Sequence, residues 1–543
     1  MVFARRSTTL LAAIIASCAM VLSLTACTSD NKTVVDGQTT VTSNSAGGVA
    51  VFTPSDGITL NQQTPLNKWA KLVPDLAKAL ADAGFKKGDI DHTTSDSLAK
   101  QSRAIQDFVV DHLSNNTTDD SGIAIAPDNM TLLVAPVVEA DASTRQYGDY
   151  ISQNLSTNDA TDEGATSDGE SSEDDSSKDD SSNTESDSTA SDEQAQAVDR
   201  LVSSLKLAKE SGMHVVLLGN SIEGYKPDAF VKFSDAQTIG KLQAEKMVSK
   251  LKLDKASKDN PKYIEVLLPY TAMDEKGNAN DSTFAQEAFR GIWQVLGSYY
   301  QKGVVESPSG TLDGKSTEND WQAVAYDAAK EGSTAKVLDK RLAKTDGQST
   351  LTRIDGIITM NDYIASEVVK ELDDLGYTGS AADINPQITI SGIVGNITGK
   401  KDLSRDAVPD PIKSPENDNA NDSSSSDDDA DKDTSASDKD RDSQWPLVTG
   451  YGAYVSNIPS IVNGKQWMTG MEDRQTIATD IAQACAKLNK DEALNSMPSI
   501  RNSEVGGVKK IPTINEPLLA VSAGNLKSAL IDPGYISLAD AGL

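Results

Sequence analysis

Histidine and cysteine are scarce in this chain, three of each among 543 residues. His92 and His112 fall near helix boundaries and His214 opens a strand, so none of them belongs to a cluster with zinc-ligand spacing. A Gly-x-Ser-x-Gly elbow, a Walker loop and a glycine fingerprint behind a strand are all missing. No Asp-x-Asp-x-Asp-Gly loop with a distal Glu marks a calcium site. Paired carboxylates are plentiful, but mostly in Ser/Asp-rich runs where nothing tunes their pKa. The chain therefore reads as a non-enzyme with no metal and no cofactor. Basic residues are also outnumbered, 50 Lys and Arg against 81 Asp and Glu, for a formal charge of -31. So acidic a chain lacks the electrostatic footprint of a nucleic-acid partner.

What is present begins at the N-terminus. Arg5 and Arg6 precede an apolar run from Leu10 to Leu24, which ends at Leu24-Thr25-Ala26-Cys27. A positive start, a short apolar core and small residues before a cut site make a secretory signal peptide. The run is too short and too weakly flanked for a stable spanning helix. Its ending resembles a bacterial lipobox, which implies cleavage before Cys27 and a diacylglycerol on that thiol. Cys18 would leave with the signal, so Cys485 remains as the one free thiol and no internal disulfide is expected. It lies in an Ala-rich helical pattern from Ile481 to Leu488 and reads as a core thiol.

The negative charge is concentrated. The stretch Asp159 to Glu193 carries a net -13 and Glu416 to Asp442 a net -8. Both are nearly free of apolar residues, so burial cannot offset the entropy of ordering them. Insertions of about 157–195 and 414–443 are accordingly expected to be disordered. Residues 28–47, rich in Thr, Ser and Asn, read as a tether.

Elsewhere short apolar runs alternate with amphipathic segments. Strands are expected at 48–52, 131–136, 214–218, 263–268, 354–359 and 446–449, and helices at 65–83, 97–112, 195–211, 284–300 and 364–375. Leu66, Trp69, Leu72, Val73, Leu76 and Leu80 follow helical spacing, and Gly84, Gly212 and Gly376 stop helices. Strand–helix alternation with continuously apolar strands predicts an α/β fold of parallel sheets covered on both faces. Such sheets bind ligands beyond the carboxyl ends of their strands, here after Phe52, Ala135, Leu218, Leu268, Thr359 and Thr449.

Several segments resemble, in order, the xylose and multiple-sugar-binding branch of the periplasmic sugar-binding proteins. They are VAVFTPSDG with LNKWAKLVPDLAKALADAGF, AKESGMHVVLLGNSI, VKFSDAQTIGKLQAEKMV, IDGIITMNDYIASEVVKELDDLGY, PLVTGYGAYVSNIPSIVNGKQWMTGMEDR and IPTINEPLLAVSAGNLKSALIDPGY. The resemblance implies the type I fold, two doubly wound parallel-sheet lobes joined by a hinge. It implies lobes at 48–228 and 229–470, a return to the first lobe over 471–505, and a segment 506–543 serving hinge and second lobe.

The ligand positions depart from the family pattern. Its Asp-Arg pair is replaced by Gly219-Asn220, and its late Gly-Gln-Asp turn by Gly450-Tyr451-Gly452. An expected Asp is Val138, with Glu139 adjacent, and a Lys near the second crossing is Glu472. Trp69, Lys68 and Asn361 persist at site positions. Trp69 either stacks on a sugar face or fills the helix core, and Tyr451 either supplies a ring and hydroxyl or closes its turn. Asp362 reads as the cap of the following helix, and Arg290 as a solvated surface residue. The expected ligand set is Lys68, Trp69, Glu139, Asn220, Asn361 and Tyr451. The role implied is a lipid-anchored extracellular receptor for a small polar solute, expected to be a carbohydrate. Its partners would be the permease subunits of an ABC importer and, through Cys27, the membrane. The alternative is a surface sensor or scaffold whose sugar site has diverged or been lost.

Overall fold

Two β-sheets with the same strand order organise the protein. The computed structural model describes residues 46–56, 65–115, 125–138, 144–156, 184–273, 280–343, 351–381 and 445–543. All of these belong to one unit, Ser45–Leu543. Cys27, the signal segment, tether residues 28–45, Glu139, residues 157–183 of the first acidic tract and all of the second lie outside them; Ala46, at the tether's end, is buried in a hydrophobic core.

In the first sheet the strands run, in space, Ile500–Val505, Val508–Asn515, Ala229–Lys232, His214–Leu218, Met130–Val134, Gly48–Pro54 and Ile90–Ser95. The pairings are parallel except for the hairpin of the first two. In the second sheet the order is Val305–Glu306, Lys262–Val266, Gly356–Ile358, Leu447–Tyr451, Met468–Met471 and Leu519–Ser522, with only the last strand antiparallel. Numbered within its own lobe, each sheet has the core order 2-1-3-4-5. That is a doubly wound sheet whose winding reverses between strands 1 and 3.

The lobe boundaries differ from those expected. Ala229–Lys232 pairs with His214–Leu218 in the first sheet, so the first crossing follows it, at Phe233–Asp235. Val508–Asn515 pairs with Ala229–Lys232, so the C-terminal segment re-enters the second lobe only after Asn515. In both cases a ladder of main-chain hydrogen bonds fixes the lobe. The chain thus crosses near residues 233–235, 472–473 and 516–518.

Helices cover both faces as the apolar stripes require. Trp69–Asp82 buries Trp69, Leu72, Leu76 and Leu80. They pack with Ile477, Ile481 and Cys485 of the helix Arg474–Leu488 on one face of the first sheet. Burial raises the Cys485 thiol pKa, as expected of a core thiol. Leu98–Asn115 and Thr184–Glu210 cover the other face. The latter helix begins at Thr184, inside the tract expected to be disordered, and so prolongs the helix anticipated from Ala195.

In the second lobe, Ala236–Leu251 and Thr283–Gln301 cross at two glycines. A Cβ on Gly240 would stand 2.2 Å from the Ala288 carbonyl oxygen, and one on Gly291 would stand 2.0 Å from that of Gln237. Only glycine admits so close an approach of two helix backbones.

Candidate functional site between the lobes

The winding reversals direct attention to the strand carboxyl ends where the lobes meet. At the crossings, Glu472 follows the second-sheet strand Met468–Met471 and Ser234 follows the first-sheet strand Ala229–Lys232. Glu472 is fully buried. Its Oε1 accepts the Ser234 main-chain N–H at 2.6 Å and the Ser234 hydroxyl. The Ser234 hydroxyl is also hydrogen-bonded to the Tyr451 hydroxyl. The Asn67 Oδ1 receives the Glu472 N–H at 3.4 Å. Burial is the main cause that raises the Glu472 carboxyl to about 7, against the lowering effect of the Ser234 donors. The sequence marks Glu472 only as a departure from a family lysine; its hydrogen-bonded role depends on the crossing of two distant segments.

Between the lobes lies the segment from Thr144 to Leu155. Its Tyr147 and Ile151 belong to the core of the second lobe, whereas Tyr150 and Leu155 belong to cores on the two faces of the first. The Asp149 N–H donates to the Asn67 carbonyl at 2.8 Å and the Ser152 N–H to the Ser234 carbonyl at 3.4 Å. Asn154–Leu155 pairs in parallel with Ser221–Ile222. This segment is termed the strap.

Each expected ligand residue within the described residues faces the strap. Lys68 Nζ donates to Asp149 Oδ1 at 2.7 Å, and its carbonyl accepts the Tyr150 hydroxyl at 2.5 Å. The Trp69 N–H donates to Asp149 Oδ2 at 3.1 Å, so this carboxylate caps the helix Trp69–Asp82 from outside. The Trp69 indole is 3% exposed and lies edge-on to Tyr150 and Phe233, with centroids at 5.1 and 5.7 Å. It packs in the first lobe's core, beside the strap's Tyr150. The Asn220 Oδ1 accepts the Gln153 N–H and its Nδ2 donates to the Pro136 carbonyl, both at 2.9 Å. Asn361 Nδ2 donates to Gln146 Oε1 at 3.1 Å. Tyr451 is buried, with its ring 6.3 Å from that of Tyr147. Glu139 lies outside the described residues.

The cap read from sequence for Asp362 is made by Asn361 instead. Asn361 is the helix cap: its Oδ1 accepts the Ile364 N–H at 2.9 Å. Met360, with φ +69°, makes the left-handed step that delivers it, and Gln243 holds the Met360 carbonyl at 3.0 Å. Asp362 instead points into the second lobe. Its carboxylate accepts Gln466 Nε2 at 2.7 Å, Thr469 Oγ1 at 2.8 Å and the Tyr454 N–H at 2.9 Å. Burial raises it to about 6 even so. Asp56, whose Oδ2 accepts the Ala70 N–H at 3.1 Å, is likewise raised to about 6, first by burial and then by Asp149 beside it. Arg290 pairs with Glu287 on its own helix, in keeping with a solvated face.

Among the described residues no group of three or more His, Cys, Asp or Glu is placed to hold a metal ion, and no helix is long and apolar enough to cross a membrane. The site's chemistry is that of a hydrogen-bonding and aromatic surface, filled by the protein's own chain.

No family model and no curated protein matches this chain. Solved structures similar to it include an ABC transporter solute-binding protein from Clostridium phytofermentans with bound β-D-glucose, 17% identical, covering 91% of this chain and 99% of that one with TM-score 0.44. A carbohydrate transporter solute-binding protein from Chloroflexus aurantiacus, in complex with D-glucose, is 18% identical over 92% of this chain and 98% of that one, TM-score 0.43. A periplasmic ribose ABC transporter protein from Conexibacter woesei is 13% identical over 90% and 96%, TM-score 0.43. By its own topology, two lobes of order 2-1-3-4-5 with three crossings between them, the chain has the type I periplasmic-binding fold.

Proposed function

We propose that this chain is the extracellular solute-binding component of a sugar-type ABC importer, held at the outer face of the membrane through lipid on Cys27. The observation that carries the reading is the convergence of Lys68, Asn220, Asn361 and Tyr451 between two doubly wound lobes. Ligands of such sheets bind beyond the strand carboxyl ends, at the reversal of winding. Two lobes closing on a solute give a permease a closed form to recognise. The polar groups there suit a neutral hydroxylated ligand, a carbohydrate above all.

A second reading, a surface sensor or scaffold on the same fold, is favoured by two observations. The polar groups expected to meet a ligand are engaged with the strap, and the family's charged clamp is replaced at Asn220 and Tyr451. A thermal-shift series of the mature protein with sugars, polyols and nucleosides decides between them. A ligand at 100 times its dissociation constant stabilises by about 2.7 kcal/mol. A clear shift with any sugar supports the receptor, and a flat response across the series supports the sensor or scaffold.

A further inference from the structure

The strap differs from an ordinary surface loop in what it binds. Loops lie on the outside because buried main chain needs partners. This one is buried at Tyr147, Gly148, Tyr150 and Ile151, and it finds its partners on both lobes. Its side chains take positions that a solute between the lobes would take. Asp149 occupies the Lys68 ammonium and the Trp69 N–H, Gln146 occupies Asn361, and the Tyr150 ring stacks on Phe233 at 4.7 Å. The Tyr147 ring sits 4.7 Å from Phe284 of the second lobe. The Gln146 carbonyl accepts the Tyr454 hydroxyl at 2.6 Å.

We propose that residues 144–155 are an internal stand-in for the solute: the strap holds the lobes together, and a sugar binds only when the strap withdraws. The inference rests on the cleft being a solute site. A protein whose binding-competent form is a minor population binds with an apparent affinity reduced by that fraction. The strap is therefore a built-in brake, and loosening it tightens sugar binding without any new contact to sugar.

Gly148 offers the means of loosening it. Its φ is +99°, and a Cβ there would stand 2.5 Å from the Asn67 carbonyl oxygen and 2.7 Å from its Cβ. Gly148→Val is thus disfavoured both by backbone and by clash, and it deletes no core group of either lobe. A double variant, Gln146→Ala with Asp149→Ala, removes two half-buried anchors instead and guards against misfolding of the first. Full-length protein and both variants are compared by hydrogen exchange, by small-angle scattering, and by titration with D-glucose, D-xylose, L-arabinose and D-galactose.

Faster exchange at Asp149, Ser152 and Gln153, a larger radius of gyration, and at least tenfold tighter binding of one of these sugars are expected. Unchanged exchange at those amides in both variants would overturn the proposal. So would a released strap with unchanged radius, or, where one of the sugars binds, with its affinity unchanged or weaker. If the radius grows but no sugar binds any of the proteins, the strap still holds the lobes and it is the solute reading that fails.

Discussion

Glu472 and Ser234 lie 238 residues apart in sequence, yet the Ser234 N–H donates to the Glu472 carboxylate at 2.6 Å where two of the chain's crossings run side by side. Among the described residues no cation pairs with this carboxylate. Its partners are hydroxyl and amide donors, and its charged neighbours Asp235 and Asp473 carry the same sign. The crossing region is thereby made sensitive to protonation.

The sign follows from linkage. Burial raises the folded-state pKa of Glu472 to about 7 from 4.5, so the native state binds the proton more tightly than the unfolded chain. Its stabilising contribution is full below about pH 4.5 and is lost as pH rises through about 7. Glu472→Gln should therefore flatten the stability profile across that window and raise stability at pH 8, by about 3 kcal/mol at most. Urea denaturation at pH 5, 6, 7 and 8 checks this. A variant less stable than wild type at pH 8 would count against it.

Asp362 gathers donors from Gln466, Thr469 and Tyr454 inside the second lobe. Asp362→Ala leaves several of them buried without an acceptor and should cost about 2–4 kcal/mol. Asn361→Ala loses a cap and should cost about 1 kcal/mol. Thermal unfolding of the two variants should reproduce this ranking. Equal losses would deny the hub role to Asp362.

Gly240 and Gly291 should tolerate no side chain. With a Cβ 2.0–2.2 Å from a carbonyl oxygen of the facing helix, Gly240→Ala or Gly291→Ala must push the two helices apart. Overpacking of this kind costs about 1–3 kcal/mol, occasionally more. Chemical denaturation measures it, and a neutral effect at both sites would contradict the helix crossing.

The site lacks the charged clamp usual for the family it resembles, so binding of xylose, glucose, arabinose and galactose to the wild-type chain should be weak. Isothermal titration is the measurement, and submicromolar affinity for any of the four would refute the expectation. If a ligand is found, Asn361→Ala should weaken it by roughly 1–3 kcal/mol. An unchanged affinity removes Asn361 from the site.

Anchoring through Cys27 has its own test. Mass spectrometry of the mature protein should find a diacylated N-terminal cysteine, and Cys27→Ser should be shed into the medium. Two acyl chains suffice for stable attachment. An unmodified N-terminus at another residue would end this reading.

The local elements were legible because their signals are local. Leu72, Leu76 and Leu80 repeat at helical spacing and are buried as that spacing requires. The continuously apolar His214–Leu218 is a central strand with both faces covered, which is why periodicity finds it. Ile90–Ser95 carries no such signal because it is an edge strand, largely exposed and built mostly of polar residues. Ile500–Val505, at the opposite edge of the sheet and mostly polar, lacks the signal for the same reason.

The sequence by itself determined the alternation of strands and helices, the stripes that bury them, the two acidic tracts and the order of segments resembling sugar-binding proteins. It also narrowed the site to loops beyond strand ends, since that follows from parallel winding. Only the tertiary structure decided which sheet Ala229–Lys232 joins, that Asn361 caps while Asp362 is buried, and that Glu472 joins Ser234. Above all it decided that Lys68, Trp69, Asn220, Asn361 and Tyr451 meet the chain's own strap. These are relations between residues far apart along the chain. They are fixed by hydrogen-bond geometry and by burial between distant segments, neither of which leaves a periodic mark in the sequence.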